Sequence, residues 1–176
     1  MTLEAFADTV LPGERRWDGD RAVAGAATGD GAVAAGALEV LQDPAGGIAG
    51  LLDGLVDDLN EHAAQYAAEL GVVLDDAVPA FVGLQYAERA GLLQRLTAAG
   101  HPEKEVWVGL VMFSYMAFDA APHMHTVDAI ADGHPGLRLL GFQRPDATGL
   151  WRFDAFSYGR PLADLHPDTT PTGSPA

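Results

Sequence analysis

Val106-Trp107-Val108-Gly109-Leu110-Val111-Met112-Phe113-Ser114-Tyr115-Met116-Ala117-Phe118 is a run of thirteen residues without a formal charge. A bilayer crossing needs about 20 apolar residues, so this run is too short to span one. Gly100-His101-Pro102 turns the chain ahead of it and Pro122 follows it, which predicts a helix over about 103–120. A helix apolar on nearly every face belongs in the interior of a helical protein. It is expected to be central and buried on most sides.

Working outward, the pattern stays helical. Ile48, Leu52, Leu55, Leu59, Ala63, Tyr66 and Leu70 recur every three or four residues, and Gly71 is placed to stop that helix. A second helix is expected over about 79–99, with Pro79 suited to its first turn and Phe81, Leu84, Leu92 and Leu96 on one stripe. Shorter helices are expected over 3–11, 31–42 and 126–132. The fold class is therefore all-α, a bundle of about five or six helices. From 133 to 165 frequent Gly and Pro accompany Trp151, Phe153, Phe156 and Tyr158, which reads as an irregular aromatic wrap. Residues 151–156 alternate weakly enough for a short strand. One domain is expected over 1–166, followed by a disordered Pro/Thr/Ser/Gly tail over 167–176.

The net charge of −15, with Lys104 the sole lysine, repels phosphate backbones and anionic lipid. Nucleic-acid and membrane-surface partners are disfavoured on that ground. The chain has no cysteine, which excludes disulfides, thiolate metal sites and a cysteine nucleophile. No basic stretch leads into an apolar run near Met1, and Arg15-Arg16 is followed by Trp17-Asp18-Gly19-Asp20. A cytoplasmic location is expected.

Leu3-Glu4-Ala5-Phe6-Ala7-Asp8-Thr9-Val10-Leu11-Pro12-Gly13 is a short amphipathic helix stopped by Pro-Gly. It resembles the opening helix of the gluconate 2-dehydrogenase subunit 3 family. Phe81-x-x-Leu84 followed by Glu88-Arg89-x-x-Leu92-Leu93-x-x-Leu96 is similar to that family's helix ahead of its hydrophobic one, so the likeness covers about residues 3–120. It implies a small helical subunit that accompanies a flavin-dependent oxidoreductase of the glucose-methanol-choline type. The flavin is then carried by the large subunit and no cofactor by this chain. The family's best-known members are exported or travel with an exported partner, so a cytoplasmic member is a departure. In that setting Trp151, Arg152, Phe156, Tyr158 and Arg160 are candidates for partner binding, since aromatic and Arg side chains concentrate at interface hot spots.

His123-Met124-His125 is the main chemical cluster. Two His at i and i+2 share a side on a strand but diverge on a helix. Asp119 and Asp128 have the chemistry to complete a His/carboxylate metal site, but no recognised ligand spacing is present. At a helix end His more simply caps carbonyls or faces water, so no metal is expected. His62, Ser114, Tyr115 and Asp119 are expected as internal hydrogen-bond partners. The alternative reading is a stand-alone small enzyme or ligand-binding protein of specialised metabolism. There His123, His125, Tyr115 and Asp119 would line a bundle pocket and move a proton or position substrate. Gly29-Asp30-Gly31 lacks the strand and the Gly-Lys of a phosphate loop. A homo-oligomer is compatible with either reading.

Overall fold

Phe6 organises the interior from the first helix, α1 (Thr2–Val10). Ala5, Phe6 and Ala7 are fully buried, and the Phe6 ring meets Phe81 at 6.4 Å and Trp107 at 6.5 Å between centroids. The computed structural model describes residues 1–142; the aromatic wrap, the strand over 151–156, the domain end at 166 and the tail lie outside the described residues. The described residues form eight α-helices and no strand, so the protein is all-α.

Gly36 sits in the left-handed region at φ 86°, so α2 (Ala37–Gln42) begins after it and the helix expected from 31 is shorter. Two 3-10 turns lead into α3 (Leu52–Leu70), which Gly71 closes at φ 70°. The single helix expected over 79–99 is two, α4 (Ala80–Gly83) and α5 (Tyr86–Leu96). Leu84 and Gln85 are extended between them, and Gln85 and Glu88 close a capping box that restarts the helix. Then come α6 (Lys104–Ala120), α7 (Thr126–Ala131) and α8 (Pro135–Leu139). α8 was not anticipated; it is five residues long, and His134 caps it through Nδ1.

The main core joins Phe6, Leu41, Leu59, Phe81, Leu84, Leu92, Leu96, Trp107 and Leu110. α6 packs on α1, α2, α5 and α8. Trp107, Leu110, Ser114, Ala117 and Phe118 turn inward, and Ser114 donates from Oγ to the Leu110 carbonyl at 2.9 Å. The expectation that α6 is buried on most sides is corrected: Met112 is 57% and Tyr115 50% exposed. The packed helices cover one side of α6, and uniform hydrophobicity carries no information about which side that is.

Candidate functional site

Ala121 ends α6 in the left-handed region at φ 46°, and the chain folds back so that the Met124 amide donates to the Ala121 carbonyl at 3.0 Å. This turn lays the His123 ring on Gly36, where any Cβ would overlap the imidazole. From the other end of α7, His134 Nε2 lies 3.0 Å from the Ala35 carbonyl, and its Nδ1 accepts from the Leu137 amide at 3.4 Å. With Nδ1 accepting, Nε2 is the nitrogen placed to donate to the Ala35 carbonyl. The two imidazoles stand 6.0 Å apart and together grip the turn that precedes α2.

Burial pushes the His123 pKa below its ordinary 6.5, against the pull of Glu39 and with His134 adding to the shift. His123 Nδ1 and Asp119 Oδ1 are both buried without a hydrogen-bond partner. A cleft of about 210 Å³ opens beside His123, which walls it with Val40, Phe113, Met116 and Pro122, with Asp43 contributing.

The sequence-predicted residues do not converge there. His125 is exposed at the N-cap of α7, where only its carbonyl is engaged, by the Ala129 amide at 2.9 Å. Tyr115, expected as an internal partner, is exposed on α6 and outside the cleft wall. Among the described residues no group of three or more His, Asp or Glu is placed to hold a metal ion. Trp151, Arg152, Phe156, Tyr158 and Arg160 lie outside the described residues.

Sequence reasoning did not single out Asp8 and Arg89, which tie down the long loop between α1 and α2. Both Asp8 carboxylate oxygens accept backbone amides, Oδ1 from Gly13 at 3.1 Å and Oδ2 from Ala24 at 2.8 Å. Burial raises the Asp8 pKa, opposed by those two amides and by the Arg89 charge. Arg89 is buried and donates to the carbonyls of Leu84, Ala22, Arg21 and Val82 at 3.0, 2.9, 3.0 and 2.6 Å. The signal was present: an arginine set into the Phe81–Leu96 stripe, and an aspartate inside the apolar start of the chain. A second cleft, of about 140 Å³, adjoins Asp8, Arg15, Arg16 and Asp30. Its charged groups are largely engaged already. Arg16 pairs with Asp20 at 2.7 Å and Glu4 at 2.6 Å, and Arg15 donates to the Ala24 carbonyl.

On α3 and α6, Glu103 Oε2 accepts from Trp107 Nε1 at 2.9 Å and lies 2.8 Å from His62 Nε2. The Trp107 bond, then the His62 bond, hold the Glu103 carboxyl below its usual range. These contacts pin the start of α6 to α3. The outer side of α6 carries Glu105, Val108, Met112 and Tyr115 at helical spacing. Glu105, Met112 and Tyr115 are exposed and Val108 half-buried.

Neither the curated proteins nor the solved structures contain a significant match to the chain. A family model does match, over residues 1–176. The chain belongs to that family, described as a family of unknown function, DUF5987.

Proposed function

We propose that this protein is a non-catalytic, cytoplasmic accessory subunit of a flavin-dependent oxidoreductase of the glucose-methanol-choline type. The flavin sits on the large subunit, and this chain stabilises that subunit or shapes access to its substrate. The observation that carries the reading is the outer side of α6, where Met112 and Tyr115 stand at least half exposed on a helix otherwise used as core. Exposed apolar surface of this kind fits a protein–protein contact. In neither cleft do several free polar side chains converge as they do in a catalytic pocket. The likeness of residues 3–13 and 81–96 to a small oxidoreductase subunit supplies the class of partner. Trp151, Arg152, Phe156, Tyr158 and Arg160 are proposed as further partner contacts. No helix among the described residues is long and apolar enough to cross a membrane.

The test is affinity capture of the full chain from its host, followed by mass spectrometry and a visible absorption spectrum. A stoichiometric partner with flavin absorption is the expected result. A colourless protein without a partner sinks the proposal.

One observation favours a second reading, a stand-alone enzyme or ligand-binding protein. The His123 imidazole, with its pKa lowered, walls the 210 Å³ cleft, and its Nδ1 is buried without a hydrogen-bond partner. Unpartnered buried polar atoms are uncommon in folded proteins and often mark a site that something else completes. In that reading His123 accepts a proton; Tyr115 and His125, which do not wall the cleft, contribute nothing to the step. Activity of the isolated chain that His123→Ala abolishes is its signature.

A further inference from the structure

His134 reaches backbone 99 residues away through one ring nitrogen and caps α8 through the other. It is buried, so water has little access to replace either bond. The cap needs a lone pair on Nδ1, and the Ala35 carbonyl needs a proton on Nε2. A second proton on that ring would set an N–H against the Leu137 amide N–H and remove the cap. His123 makes a parallel demand with its ring centroid 6.0 Å away. Its ring lies on Gly36, next in sequence to Ala35, and its Nδ1 is buried without a partner. A proton at that nitrogen carries charge into a place with no acceptor for it.

The charges around the pair do not compensate. Glu39 on α2 draws a proton toward His123, but burial, with His134 adding to it, outweighs that pull. Asp43 lines the cleft that His123 walls, and its Oδ1 is taken by the Ala45 amide at 2.9 Å. Asp119, the last carboxylate of α6, has a buried Oδ1 that meets no donor. On the α7–α8 side Asp128 and Asp132 are exposed, and Arg138 is paired with Asp30.

We propose that the His123–His134 pair is an acid-released latch, which holds α7 and α8 on the turn before α2 at neutral pH and frees them in mild acid. The part released is a small unit. Ala121, Ala129 and Leu137 form a cluster separate from the main core. α7 has six residues and α8 five, too few to persist as helices without packing. Opening takes up protons, because in water each ring is free to carry two N–H groups. Each proton taken up raises the opening constant by at most about tenfold per pH unit. The latch belongs to the chain itself and does not depend on a partner.

Hydrogen exchange of the full chain at about pH 7.5 and about pH 5.0, on either side of the ordinary histidine range, tests it. Exchange is read as protection factors, which removes its intrinsic pH dependence. The ring C–H signals of His123 and His134 are followed by NMR over the same range. Protection over 126–140 is expected to fall about tenfold or more relative to 52–70, in step with the titration of the two rings. His123→Gln and His134→Gln keep an amide donor and acceptor but do not titrate. Each is expected to reduce that pH-dependent fall by about threefold or more.

Unchanged relative protection in acid overturns the latch. So does a loss over 52–70 as large as that over 126–140, or an opening that follows the titration of neither ring. The wild-type titration is a sufficient test by itself should either variant already be open at neutral pH.

Discussion

Arg89 carries a buried positive charge that is matched by four carbonyl oxygens. Its desolvation lowers its own pKa, and the Asp8 carboxylate is the main force drawing it back. A lysine has one compact ammonium and cannot reproduce the planar fork that reaches Ala22 and Val82 together. Arg89→Lys is therefore expected to destabilise the fold by about 2–4 kcal/mol, because several buried carbonyls lose their donor. Equilibrium urea unfolding checks it. Gly36 makes a second demand of the same kind. Its φ of +86° favours glycine, and the His123 ring fills the space a Cβ needs. Gly36→Ala is expected to cost at least about 2 kcal/mol, combining left-handed strain with displacement of the ring. The urea midpoint reads the loss, and the His123 ring proton shifts report the displacement. Neither role was legible in sequence. Periodicity marks a position as facing the core, but not that an arginine there holds loop carbonyls some 67 residues away.

Among the elements, α1 and α3 were readable because each combines helical period with a defined stop, and α6 because its charge-free run lies between Gly100-His101-Pro102 and Pro122. The break between α4 and α5 was not. The apolar stripe runs through it, and the decision rests on a capping box whose two members also suit a continuous helix. Glu88→Ala removes the bond from the Gln85 amide to Glu88 Oε2 at 2.7 Å and is expected to cost about 1 kcal/mol. A thermal melt followed by circular dichroism measures it. α8 escaped notice because five residues carry too little period to register. It is nevertheless seated closely: Gly136 packs against the Phe118 carbonyl at the end of α6, with no room for a side chain. Gly136→Ala is expected to release α7 and α8 while α3 and α5 keep their structure. Hydrogen exchange would show fast amides over 126–140 and unchanged protection over 52–70 and 86–96. The candidate site shared this fate. The cluster of His123, His125, Tyr115 and Asp119 was visible as residue types. Tyr115 and Asp119 take their orientation from how α6 packs, and His123 from the left-handed Ala121, and no pattern of residue types announces either.

For the molecule as a whole, acid is the revealing perturbation. His123 has its folded pKa depressed below 6.5, so the stability it contributes is present above that value and is lost as pH falls through the depressed one. Glu103, also depressed, loses its contribution only below its ordinary 4.5. Asp8 is shifted upward from 3.8 and works in the opposite sense, its contribution being lost as pH rises through its folded pKa. The urea midpoint is thus expected to decline as pH drops below 6.5, before the carboxylates depressed from 3.8 and 4.5 lose theirs. His123→Gln should flatten that early part of the curve; an unchanged slope would refute the assignment.

The burial of α1 has a temporal consequence. Its faces are covered by α2, α4, α5 and α6, and Phe6 reaches its neighbours Phe81 and Trp107 only through segments encoded far downstream. On the ribosome, where chains grow at roughly 5–20 residues per second, the first helix emerges seconds before Trp107 is synthesised. Until then the nascent chain must carry Phe6 exposed. A helix made well before its partners is secured only once they have followed it out.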